Sequence, residues 1–161
     1  MSTDIKNSIL IKLYNRYFEN YVIGINRNTL ESEFSNGNPN EVRIILNELA
    51  SNFLISFENG SYKITAFGIK YLEEEELVED SNQHQRNEIL KILKDPYKED
   101  VDKNTSHEII LEKLNLSKPI EILSQMKYLK DEGYLHLELA LGGYFSTRLT
   151  HAGYELAKSL S

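Results

Sequence analysis

The sequence contains no cysteine. That absence excludes disulfide staples, thiolate metal sites and cysteine nucleophiles. It fits a reducing compartment, and a cytoplasmic location is the expectation. Long apolar runs are missing as well. The apolar stretches at residues 8–13 and 21–25 are far too short to span a bilayer, so no membrane partner is expected. Residues 1–8 are polar and lack the apolar segment of a signal peptide. Nor is there an excess of positive charge. The net charge is −7 and the pI about 5.2. Nucleic-acid binders carry a basic footprint, so any such surface here is a local one.

Catalytic signatures are absent too. The four histidines, His84, His107, His136 and His151, are scattered. None has a second histidine at the helical spacing that builds a metal face. There is no glycine-rich phosphate loop and no nucleophile elbow, and Gly142-Gly143 reads as a turn. No enzymatic role, cofactor or metal is expected.

What the chain does have is a repeat. Its 161 residues suit one ordinary domain or two small ones, and 40% hydrophobic with 27% charged residues is a soluble globular composition. Asn7-Ser8-Ile9-Leu10 aligns with Asn87-Glu88-Ile89-Leu90. At the same offset Leu13 meets Leu93, Tyr17 meets Tyr97, Pro39 meets Pro119, and Leu49 meets Leu129. Later the offset grows by five, so that Ile64-Thr65-Ala66-Phe67-Gly68 meets Leu149-Thr150-His151-Ala152-Gly153. A loop tip is where such an insertion costs least. The reading is a duplication, with module 1 at residues 1–80 and module 2 at residues 81–161.

Each module reads the same way. Residues 5–21 carry apolar groups at helical spacing. Asn28 followed by Glu31 resembles a capping pair for a short second helix over residues 29–34. Asn38-Pro39 opens a third helix running to about Phe53, with Val42, Leu46, Leu49 and Phe53 as its core stripe. Asn59-Gly60 between two β-prone runs signals a hairpin. Thr65 then caps a last helix over residues 66–79. In module 2 the first helix spans residues 83–94 and stops near Asp95-Pro96. The second and third span residues 106–114 and 119–132, and Gly133 ends the third. Strands at residues 134–139 and 144–149 flank Gly142-Gly143, and Thr150 caps the last helix. Tyr14, Tyr17, Tyr21, Tyr71 and Tyr97 fall at helical positions and are expected to pack.

Three helices, a hairpin and a trailing helix resemble the winged helix-turn-helix plan. Met126-x-x-Leu129-x-x-x-Gly133-Tyr134-Leu135 looks like a recognition helix entering its first wing strand. Leu46-x-x-Leu49-x-x-x-Phe53-Leu54-Ile55 repeats it with Phe53 in place of the usual glycine. Ile64-Thr-x-x-Gly68 and Leu149-Thr-x-x-Gly153 resemble the strand-to-helix exit of bacterial and archaeal members. The resemblance implies a mainly α fold with small β wings (α+β), in two tandem modules.

It also implies a transcription regulator, with each third helix in a DNA groove and a wing beside the backbone. Module 2 is the better candidate for double-stranded DNA. Its third helix offers Ser124, Lys127 and Tyr128, with Lys118 at the start and Gln125 at the flank. Its wing adds Tyr144 and Arg148, together with His136 and His151. Lys118, Lys127 and Lys130 are the expected phosphate contacts. Module 1 offers Asn40, Ile44 and Asn47 beside Glu41 and Glu48, which suits a protein contact better than a phosphate backbone. Arg43 is expected to pack its stem near the core edge. The alternative to a regulator is therefore an adaptor that binds protein partners. A homodimer is expected through the last helix, whose Tyr154, Leu156, Ala157 and Leu160 form an apolar stripe.

Overall fold

In a computed structural model describing residues 2–160, the chain is mainly helical and divides into two units, Met1–Glu79 and Asp80–Ser161. Each unit carries one three-stranded antiparallel sheet among the described residues.

Unit 1 begins with α1 (Ser2–Glu19), whose Ile9, Leu10, Leu13, Tyr14 and Tyr17 recur every three or four residues and are all buried. A two-residue strand β1 (Ile25–Asn26) leads into α2 (Arg27–Phe34). The cap of α2 is Asn26 and not Asn28: its Oδ1 accepts from the N–H of Thr29 at 2.8 Å. Helix α3 (Pro39–Ser51) opens on Pro39 at its first position and buries Val42, Ile45, Leu46 and Leu49. Strands β2 (Ile55–Glu58) and β3 (Ser61–Ile64) form the hairpin, and α4 (Ala66–Glu74) closes the unit. The register sets Glu58 opposite Ser61, so Asn59-Gly60 is a two-residue turn. Both turn residues have positive φ, +51° and +80°, as the primed hairpin turn demands.

Unit 2 repeats this order. It comprises α5 (Ser81–Glu99), β4 (Thr105–Ser106), α6 (His107–Leu114), α7 (Ile120–Asp131), β5 (Leu135–Leu139), a 3-10 turn (Leu141–Gly143), β6 (Phe145–Leu149) and α8 (His151–Ser159). The sheet orders match, β1-β3-β2 and β4-β6-β5. So do the short pairings: Ile25 lies opposite Tyr62 and Asn26 opposite Ser61, while Thr105 lies opposite Thr147 and Ser106 opposite Ser146.

Helix α5 does not stop at Pro96 but runs to Glu99. Pro96 lacks the N–H that would bond the Ile92 carbonyl, yet the helix continues past it, and the N–H of Asp100 bonds the Pro96 carbonyl at 3.0 Å. Tyr97 in that last turn stacks on Tyr154 of α8, with ring centroids 4.7 Å apart.

Phe53 is not part of the core stripe. It is 76% exposed and has φ +60°. The helix ends at Ser51, and Phe53 turns left-handed so that the N–H of Leu54 can bond the Leu49 carbonyl at 3.0 Å. Gly133 takes the same place in unit 2 with φ +80°, and the N–H of Tyr134 bonds Leu129 at 2.9 Å. A side chain in this conformation costs about 1–2 kcal/mol, which glycine avoids.

Candidate interaction surfaces

The third helix of each unit is held against its hairpin by the same small device. In unit 1 the hydroxyl of Thr65 donates to the Phe53 carbonyl at 2.6 Å and accepts from the N–H of Gly68 at 3.0 Å. In unit 2 the hydroxyl of Thr150 donates to the Gly133 carbonyl at 2.7 Å and accepts from the N–H of Gly153 at 3.0 Å. One threonine thus caps a helix and ties the end of the preceding third helix to it. The glycines are needed for close approach. A Cβ on Gly68 would lie 2.2 Å from the Leu54 carbonyl oxygen, and one on Gly153 would lie 1.8 Å from that of Tyr134. The local sequence Thr-x-x-Gly therefore fixes how each third helix and hairpin are presented.

What each presents differs. On α7 the expected reading face is largely inward. Ser124, Gln125 and Tyr128 are only 5%, 2% and 8% exposed. The reason lies in α5, which starts at Ser81, earlier than its periodicity suggested. That adds a first turn from which Asn82 reaches α7. Gln125 Nε2 donates to Asn82 Oδ1 at 2.7 Å, and Gln125 Oε1 accepts from Arg86 Nη1 at 3.1 Å. The guanidinium of Arg86, itself buried, sits 4.3 Å from the centroid of the Tyr128 ring. These polar groups are committed to holding α5 on α7. Ser124, Gln125 and Tyr128, expected as nucleic-acid contacts, are thus buried in this structure.

The other candidates on unit 2 lie outside this network. Lys127 Nζ bonds Asp131 at 2.9 Å one turn away. Arg148, half-buried on β6, donates to Asn104 Oδ1 at 3.0 Å. Tyr144 is exposed, with its ring 5.1 Å from that of His107. Lys118 and Lys130 are exposed, and Glu121 accepts from the backbone N–H groups of Ser117 and Lys118 at 3.0 and 2.8 Å. The carboxylate of Glu121 therefore stands where a helix-terminal phosphate would bind.

On α3 the outward face is open. Asn40, Ile44 and Asn47 are exposed, and Ile44 is 67% so. Arg43 is exposed as well. Its Nε donates to Glu31 at 2.7 Å. That hydrogen bond holds the Glu31 carboxyl below the usual carboxylate range and raises the Arg43 guanidinium. Lys6 likewise pairs with Glu48 at 2.9 Å. The strip Asn40–Ile44–Asn47 is thus uncharged, and Arg43 and Glu48 beside it are paired.

No family model, curated protein or solved structure matches the chain. Among the described residues no cluster of three or more histidine, aspartate or glutamate side chains could hold a metal ion. No helix among them is long and apolar enough to cross a membrane.

The apolar stripe of α8 is already in use. Ala157 is fully buried, Leu156 and Leu160 are half-buried, and Tyr154 stacks on Tyr97 of α5. The expected dimer contact thus falls on a stripe that is largely packed within unit 2. Sequence reasoning missed Asn82 and the buried Arg86, whose polarity hid their part in holding α5 on α7. The two-residue strands β1 and β4 were missed as well, being too short to leave any periodicity.

Proposed function

We propose that the chain is a tandem winged-helix protein acting as a protein-interaction adaptor, with the outward face of α3 in unit 1 as its principal contact. In support of the winged-helix reading, each unit runs helix, short strand, helix, helix, hairpin, helix, with the short strand pairing to the returning strand of the hairpin. The observation that carries the function is the exposed Ile44 between Asn40 and Asn47 on a strip without free cations. Interface centres are depleted of charge and built on apolar anchors. A phosphate backbone demands the opposite. Unit 1 as a whole carries seven basic and twelve acidic side chains.

DNA binding through unit 2 is the second reading. It rests on the exposed Lys118 and Lys130 with Tyr144 on the wing. The buried Ser124, Gln125 and Tyr128 leave α7 few groups with which to read bases.

Ile44→Asp separates the two. It is expected to abolish capture of a protein partner from native lysate, while Lys118→Glu with Lys130→Glu leaves capture unchanged. Loss of capture in the lysine variant alone would overturn the assignment to α3.

A further inference from the structure

Strand β5 is an edge strand, because the order β4-β6-β5 leaves one side of it unpaired among the described residues. The direction of its backbone groups follows from two bonds. The N–H of Thr150 bonds the Tyr134 carbonyl at 3.0 Å, and the N–H of Ala140 bonds the Tyr144 carbonyl at 2.8 Å. Antiparallel pairs alternate, so His136 and Glu138 also face β6 with their backbone groups. Leu135, Leu137 and Leu139 direct theirs to the open edge. Such an edge is a template for another strand unless charge or cover protects it. Here Glu138 is the only charged side chain on the strand, His136 counted neutral, and Leu139 is 50% exposed.

We propose that this edge pairs with β5 of a second copy of the chain, antiparallel and centred on Leu137. The sequence of β5, Leu135-His136-Leu137-Glu138-Leu139, is complementary to its own reverse. In that register the two Leu137 residues exchange both hydrogen bonds, and Leu135 lies opposite Leu139. His136 falls opposite Glu138, twice, at the closely spaced positions where cross-strand side chains interact most. Both side chains are exposed, and neither has a side-chain partner within the described residues. Each imidazole N–H then donates to a carboxylate of the other copy. The symmetric two-fold contact is the commonest form of homodimer. Strand β2 of unit 1 is an edge as well, but its Ile-Ser-Phe-Glu sets Ser56 opposite Glu58 in the equivalent register and provides no such pair. The pairing is independent of the ligand of α3.

The test is sedimentation velocity on the full chain from about 1 to 200 µM, at moderate salt so that the net charge of −7 is screened. The wild-type chain is expected to dimerise within that range. His136→Glu sets four carboxylates together across the contact and is expected to weaken the dimer about tenfold or more. In the chain itself that substitution faces Arg148 across the hairpin, so the fold is kept, as circular dichroism checks. Exchanging the two residues, His136→Glu with Glu138→His, restores the same pairs and is expected to return the dimer to within about threefold of wild type. A wild-type chain that stays monomeric throughout, a dimer indifferent to His136→Glu, or an exchange that fails to restore it would each overturn the proposal.

Discussion

The hydroxyl of Thr150 lies 2.7 Å from the carbonyl oxygen of Gly133, and this contact binds the end of α7 to the start of α8. Thr65 makes the same bond to Phe53 in the other half of the chain. Because each hydroxyl also caps its helix, removing it loses two bonds together. Thr150→Ala is expected to destabilise the protein by about 1–2 kcal/mol in urea unfolding, with Thr150→Ser recovering most of it.

Phe53 and Gly133 do the same backbone work at different cost. Phe53→Gly is expected to raise stability by about 0.5–1 kcal/mol, since it relieves a left-handed φ at an exposed side chain. Gly68→Ala is expected to act in the opposite sense and lose about 2 kcal/mol or more, because the Leu54 carbonyl blocks any Cβ there. Thermal melts of the two variants give the signs directly.

Gln125 is placed to hold α5 on α7. Gln125→Leu removes an acceptor from buried Arg86 and is expected to cost about 1–3 kcal/mol of stability. Lys127→Ala, on the same helix, breaks only an exposed pair with Asp131 and is expected to change stability by less than about 0.5 kcal/mol.

The Glu31–Arg43 pair has a definite pH signature. Its carboxyl is held below the usual range by the Arg43 hydrogen bond. The folded-state value is the lower one, so the pair contributes above the unfolded carboxylate range and that contribution is lost as pH falls through the lowered value. Arg43 is exposed and solvent screens the pair, so the effect on stability is small. The expected outcome is that the Glu31 carboxyl, followed by carbon NMR, titrates at higher pH in Arg43→Ala than in the wild-type chain.

Much of the architecture could be read before any coordinate. The repeat was visible because Thr-x-x-Gly and the leucine spacings answer to local geometry, and the hairpin because Asn59-Gly60 needs two positive φ values. The face of α7 was not. The helical period sets Ser124 and Tyr128 opposite the apolar stripe and Gln125 at its flank, yet a polar side chain can be buried when a partner such as Arg86 supplies the bonds. Phe53 misled for a related reason: its spacing continues the stripe, but the helix that would carry it inward has already ended. On α3, by contrast, Ile44 was outward by period and is outward in the fold.

The central claim is that these helix faces serve a protein partner and not a phosphate backbone. The most direct test is fluorescence anisotropy of a labelled mixed-sequence duplex titrated with the chain at low and at moderate salt. The account predicts no binding at tens of micromolar even at low salt. Binding that appears at low salt and weakens steeply as salt is added would contradict it, and would favour the exposed Lys118 and Lys130 of unit 2 over the α3 strip.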